Sequence, residues 1–168
     1  MQMRNLIKEK IAANGYAVGA FVASSSATNC EILAMNGYDF VIIDCEHAQT
    51  DSETAVNMFR ACEMYGMAPM VRVYNPYDGP MMSRLLDVGA HGIMVPLVND
   101  APQAKNIVDN TKYAPVGRRG ANGGRGPRWG AYDDYVKVCN DNTLTFVQCE
   151  SIEGVNNIEE IAALPGVD

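Results

Sequence analysis

Three short segments hold the residues whose types and spacing suit acid–base or metal chemistry. Asp44, Glu46 and His47 fall within four positions, directly after the apolar run Phe40-Val-Ile-Ile43. A carboxylate three residues before an imidazole can hold the ring in one tautomer, the arrangement that general acid–base catalysis requires. Arg72 stands between Val71 and Val73, where a guanidinium needs an anion: a protein carboxylate such as Asp44 or Asp87, or a substrate oxygen. Gln148 and Glu150, two apart, share one face of an extended strand and offer the oxygen donors that hard divalent ions take. Plainer readings stand beside these: a hydrogen-bonded structural histidine at 47, a structural ion pair at 72, a solvated strand end at 150. Cys45 and Cys149 adjoin carboxylates in sequence and so point to the opposite strand face, which argues against a thiolate metal site. His91 precedes its apolar run and is expected at the far end, as a structural residue.

Each of the three segments reads as the C-terminal end of a buried strand. The pattern predicts strands at residues 17–23, 40–44, 70–73, 92–98 and 144–150. Between them it predicts helices over 28–35, from 51 onward, and over 81–88, 100–113, 132–138 and 154–164, with an amphipathic helix in the first eleven residues. Asp51-Ser-Glu-Thr suits a helix start, Pro102 a first turn, and Gly89 a helix end. Strands alternating with helices imply a parallel sheet, and in such sheets ligands bind outside the strands' C-terminal ends.

Two architectures fit this rhythm. One is a (β/α)8 TIM barrel of which residues 1–168 form a single partial domain of about five βα units. Pro165-Gly-Val-Asp168 reads as the turn into a sixth strand, and a complete barrel takes roughly 200 to 250 residues. The other is a five-stranded doubly wound sheet, less favoured because no glycine-rich phosphate turn follows the first strand.

A net charge of −7 and a pI near 4.8 argue against attraction to nucleic acid or to an anionic membrane. No apolar stretch approaches the ~20 residues of a membrane span, and the N-terminus does not read as a signal peptide. The five cysteines are odd in number and lack a C-x-x-C, so reduced thiols in a soluble cytoplasmic protein are expected. Residues 114–130, with six glycines and four arginines, form one long irregular stretch. It is suited to an anionic substrate, to a neighbouring subunit or to a solvated loop.

Taken together, Ile43-Asp-Cys-Glu-His-Ala48, Val71-Arg-Val73, Leu85-Leu-Asp-Val-Gly-Ala90, Gly92-Ile-Met-Val-Pro96, Arg118-Arg-Gly120, Arg128-Trp-Gly130 and Val147-Gln-Cys-Glu150 run in a recognisable order. With residues 161–168 they resemble the HpcH/HpaI aldolases, metal-dependent class II aldolases of 2-oxo acids. The resemblance implies a TIM barrel in which Glu150 ligates Mg²⁺, Mn²⁺ or Co²⁺ and the 2-oxo acid chelates that ion. It implies that Arg72 stabilises the enolate, that His47, oriented by Asp44, moves the proton of the 4-hydroxyl, and that Gln148 positions substrate or water. Asp87 resembles an acidic residue that supports the centre from a neighbouring subunit, in a homo-oligomer that is commonly hexameric. The implied reaction is reversible cleavage of a 4-hydroxy-2-oxo acid to pyruvate, or an analogue, and an aldehyde. A C–C lyase of acyl-CoA thioesters, or a non-catalytic fragment or assembly module, are the alternatives.

The sequence departs from the family pattern at Cys45, where glycine is usual, and at Tyr74, where proline is common. A second metal ligand, an aspartate in a Gly-x-x-Asp-Leu-like segment, has no counterpart among these residues, and Asp168 belongs to the approach to that strand. The expectation is a partial site, with Glu46 given no role.

Overall fold

Val41 and Ile43 alternate with Phe40, Ile42 and Asp44, and the same two-residue period recurs along the other strands, dividing each between two apolar surfaces. The computed structural model describes residues 1–168. Helix α1 (Leu6–Asn14) precedes β1 (Gly19–Val22), α2 (Ala27–Met35), β2 (Phe40–Asp44), α3 (Ser52–Met64), β3 (Ala68–Arg72) and α4 (Gly79–Asp87). Then come β4 (Gly92–Val95), α5 (Ala101–Thr111), α6 (Tyr135–Asn142), β5 (Leu144–Val147), α7 (Ile152–Asn156) and α8 (Ile158–Ala162). No helix is long and apolar enough to cross a membrane.

All five strands are parallel and lie in the order β1-β2-β3-β4-β5. The doubly wound alternative is thereby corrected, because it needs a point where strand order reverses and this sheet has none. Crossovers that share one hand and one direction put the helices that connect the strands on the same face, the arrangement of a TIM-type barrel wall. On that outer face Val41, Ile43, Val71, Ile93 and Val95 pack with Met58 and Phe59 of α3, Leu85 of α4 and Ile107 of α5. Burying each such side chain contributes roughly 1.5–3 kcal/mol. The inner face is smaller: Ile42, Met70 and Leu144 meet Ile7 of α1, which closes the N-terminal end of the strands.

Helix starts follow local chemistry. Asp51, Asp78 and Asp100 each accept a backbone N–H in the first turn of the helix that follows, and prolines occupy the first turns of α4 and α5. Several boundaries differ from expectation: β1, β4 and β5 are shorter than predicted, and β5 ends at Val147, so Gln148 and Glu150 lie beyond the strand expected to carry them. Strand β3 begins at Ala68, before the predicted residue 70, because Pro69 lies just below the first β3–β4 pair, Met70–Gly92, where its missing N–H forfeits no ladder bond. Helix α6 starts at Tyr135 because Asp134 has left-handed backbone (φ 50°), and Tyr132 instead stacks on Tyr135. The predicted 154–164 helix is broken at Asn157, whose side chain donates to the Asn99 carbonyl at 2.9 Å.

The 114–130 stretch is tied across the N-terminal ends of the strands. Arg118 N–H donates to Asp109 O, Arg119 N–H to Lys112 O and Gly126 N–H to Asp87 O, at 2.8, 3.0 and 2.7 Å. Only glycine fits at 117, where a Cβ would stand 2.3 Å from the Lys112 carbonyl oxygen. Asp168 lies beside β5, its N–H donating to Thr145 O at 3.0 Å.

Candidate active site

Parallel pairing brings Asp44 and Arg72 side by side at the C-terminal ends of β2 and β3. Their side chains make a two-pronged bridge: Arg72 Nε donates to Asp44 Oδ1 at 3.0 Å and Nη2 to Oδ2 at 2.8 Å. Asp44 Oδ1 also accepts the backbone N–H groups of Glu46 (3.0 Å) and His47 (3.3 Å), which curls the chain after β2 into a tight turn. Burial pushes the Asp44 carboxyl up, but the Arg72 bridge and the two N–H groups outweigh it and hold the carboxyl below its ordinary value. The guanidinium is raised in turn, first by its hydrogen bonds to Asp44.

The turn delivers Glu46 to the other edge of Arg72. Glu46 Oε2 lies 3.2 Å from Arg72 Nη1 and 3.6 Å from His47 Nε2. Arg72 therefore meets two carboxylates, and the ring of Phe21 lies against its guanidinium, 5.0 Å from Cζ to the centroid. Two of the five N–H donors of the guanidinium are hydrogen-bonded to Asp44 and Nη1 also faces Glu46, so N–H donors remain for a ligand oxygen.

Here the expected pairing of Asp44 with the His47 imidazole is corrected. Asp44 holds the backbone of His47, and its oxygens are spent on Arg72 and the turn; the carboxylate beside the ring belongs to Glu46. The imidazole itself stands 71% exposed at the rim. Sequence reasoning left Glu46 without a role because strand alternation alone does not foretell how the chain curls after β2.

Glu150 follows β5 at the same end. Its Oε1 accepts the Leu97 N–H at 2.9 Å and its Oε2 faces Gln148 Nε2 at 3.5 Å. Leu97 adopts left-handed backbone (φ 57°), a conformation costing a bulky residue about 1–2 kcal/mol, and in that conformation its N–H meets the carboxylate. Nothing in the residue types around Pro96 signalled this. Asn99 braces the same loop, its Oδ1 accepting from Ser151 Oγ at 2.5 Å and its carbonyl from Asn157. Gln148 Oε1 is buried without a hydrogen-bond partner, an orphaned acceptor beside Glu150. Cys45 points away into the outer core, and burial pushes its thiol up to about 11, which agrees with its exclusion as a ligand.

Two expected contributors lie elsewhere within the chain. Asp87, at the end of α4, accepts from Arg119 Nη2 at 2.7 Å and from Asn122, at the N-terminal end of the strands. In the same region Arg125 and Arg128 bridge to Glu63 at 2.7 and 2.8 Å, with His91 Nε2 3.9 Å from it. The loop arginines, for which an anionic substrate was one of three readings, thus serve ion pairs within the chain, away from Arg72.

The model of the HpcH/HpaI aldolase/citrate lyase family matches residues 17–168. The chain belongs to this family. It is 41% identical over 152 residues to a hydroxypyruvate/pyruvate aldolase of Chromohalobacter salexigens, covering 89% of this chain and 59% of that protein. It is 34% identical over 170 residues to a 2-keto-3-deoxy-L-rhamnonate aldolase of Escherichia coli O9:H4, covering 99% of this chain and 62% of that protein. The crystal structure of an HpcH/HpaI aldolase from Desulfitobacterium hafniense superposes with a TM-score of 0.90 at 30% identity, covering 99% of this chain and 64% of that one. The chain spans about three-fifths of the length of the curated relatives it matches.

Proposed function

We propose that the protein is a class II aldolase that cleaves a 4-hydroxy-2-oxo acid reversibly to pyruvate, or a close analogue, and an aldehyde. The observation that carries this is the Asp44–Arg72–Glu46–His47 group at the strands' C-terminal ends, facing the same mouth as Glu150. Arg72, fixed by Asp44, keeps N–H donors for an oxygen that gains negative charge as the C3–C4 bond breaks. His47, exposed at the rim, takes the proton of the 4-hydroxyl in cleavage and returns it in condensation.

The residues present fit one side of a hard divalent ion: Glu150 offers a carboxylate, and the unpartnered Oε1 of Gln148 a neutral oxygen. No group of three His, Cys, Asp or Glu side chains stands together in the chain, so Glu150 and Gln148 would supply only part of the ion's ligands. Mg²⁺, Mn²⁺ or Co²⁺, when bound, supplies Lewis-acid polarisation of the 2-oxo group. The five free cysteines, four of them buried, suit the reducing cytoplasm. In a homo-oligomer, hexameric by resemblance, Asp87 would support a neighbour's site, and only its Oδ1 is engaged within the chain. The acyl-thioester alternative drew on the arginine loop, whose Arg119, Arg125 and Arg128 are committed to Asp87 and Glu63.

The test is pyruvate release from 4-hydroxy-2-oxo acids by the purified protein, with and without divalent ions. Activity should need the ion and disappear in Glu150→Ala together with ion binding. His47→Ala should lower kcat by on the order of 10²-fold while ion affinity is kept. Equal loss of ion binding in His47→Ala would make His47 a ligand, and absence of pyruvate with every substrate would leave the assembly-module reading standing.

A further inference from the structure

The geometry points to Glu46 as the residue that positions His47, holding its Nε2 inward so that Nδ1 is the nitrogen that exchanges the proton. This rests on the aldolase reading. Three observations converge. The Asp44-capped turn puts the Glu46 carboxylate between Arg72 Nη1 at 3.2 Å and His47 Nε2 at 3.6 Å. The Glu46 side chain is only 11% exposed while the His47 ring is 71% exposed, so the carboxylate is the fixed partner and the ring the movable one. Charge balance gives the third. Arg72 is already neutralised by the two-pronged bridge to Asp44, so a second half-buried carboxylate is not needed to satisfy it and costs desolvation unless another cation uses it.

The imidazolium formed when His47 takes the substrate's proton is that cation. A ring shift of a few tenths of an ångström brings Nε2–H to hydrogen-bond distance of Glu46. In cleavage the 4-hydroxyl proton then ends on Nδ1, the C3–C4 electron pair passes toward the C2 oxygen, and C4 becomes the aldehyde carbonyl. The positive charge gained by the ring is offset by Glu46, and condensation returns the proton from Nδ1. Asp44 on β2, Arg72 on β3, Asp51, Asp78 and Asp100 at the starts of α3, α4 and α5, and Glu150 after β5 are the chain's other charged groups at this end. Of these, Asp44 is bound to Arg72 and the turn, Asp51, Asp78 and Asp100 cap their helices and Glu150 accepts from Leu97, so within the chain none competes for the ring.

Ring-nitrogen NMR on ¹⁵N-histidine-labelled protein tests this directly. The chain has only two histidines, so His91 serves as the internal control for folding. In its neutral form the wild-type His47 should carry its proton on Nε2. Glu46→Ala should raise the share protonated on Nδ1, and kcat should fall by about 10–100-fold, the usual effect of losing an orienting partner. Glu46→Gln, the same shape with an amide oxygen able to accept from Nε2–H, should restore the tautomer but only part of the rate. An unchanged tautomer in Glu46→Ala, or a changed tautomer with unchanged kcat, overturns the proposal. If the wild type releases no pyruvate, the aldolase reading fails and the catalytic role with it, whereas the NMR still decides whether Glu46 pairs with His47.

Discussion

At the C-terminal ends of the strands one arginine, Arg72, meets two carboxylates, Asp44 and Glu46, and the nearby His47 is 71% exposed. At the N-terminal ends two arginines, Arg125 and Arg128, meet one carboxylate, Glu63, and the nearby His91 is 19% exposed. The ingredients are the same and the ratios are inverted. The first cluster has an excess of negative charge, spare N–H donors and an open rim, which suits a bound cation and a travelling proton. The second spends its donors, with Arg125 also reaching the Val88 carbonyl at 2.9 Å, and it pins the 114–130 loop under the sheet. His91 follows that logic: burial first, then the nearby Arg128 and Arg125, push it down to about 4 against the opposing pull of Glu63.

The comparison breaks most visibly at Arg72. Arg72→Ala should cost about 10²–10³-fold in kcat. It should also destabilise the fold by roughly 3–5 kcal/mol, because Asp44, 3% exposed, is left buried without its cation. Both losses, read by a pyruvate assay and by urea unfolding, are expected together. Full stability with lost activity would mean that the bridge is not structural.

Glu63→Ala should do the opposite kind of damage. Removing the anion shared by Arg125 and Arg128 should cost about 2–4 kcal/mol and lower Tm by roughly 5–10 °C, while activity per folded molecule is unchanged. A kcat loss comparable to that of Arg72→Ala would join the two ends into one functional unit.

The smallest effect is in pH dependence. Between pH 6.5 and about 4 the unfolded chain binds a proton at His91 that the folded chain refuses. Stability from this group is therefore full above 6.5, falls as pH drops through the window, and is lost below about 4. The partial exposure of the ring limits the loss to about 2 kcal/mol. His91→Gln should flatten this limb in denaturation curves taken from pH 7 to 4; an unchanged limb would assign it to other groups.

Much of the fold was legible because its signals are local. The β-branched run at Phe40–Asp44 matched its strand residue for residue, and the Asp51 cap and Pro102 marked helix starts where they were expected. The face of Cys45 followed from strand alternation. Less was legible where a tertiary bond overrides propensity, as at Asn157, or where a single left-handed residue, Asp134, delays a helix. For the site, Asp44, Glu46, His47, Arg72, Gln148 and Glu150 could be placed at one end of the sheet from residue type and spacing alone, while the partners of Glu46 and the left-handed turn at Leu97 could not.

By itself the sequence determined the strands, their direction, the family and the set of polar residues gathered at the strands' C-terminal ends, since periodicity and motif order are properties of the chain. Only the tertiary structure decided the strand order that excludes a doubly wound sheet, the committed state of the loop arginines, and the partner of each charge. Sequence spacing put Asp44 with His47; in three dimensions a register pair gave Asp44 to Arg72, and the turn it caps turned Glu46 toward the ring. Charges choose partners by distance after folding, and distance across strands is set by register.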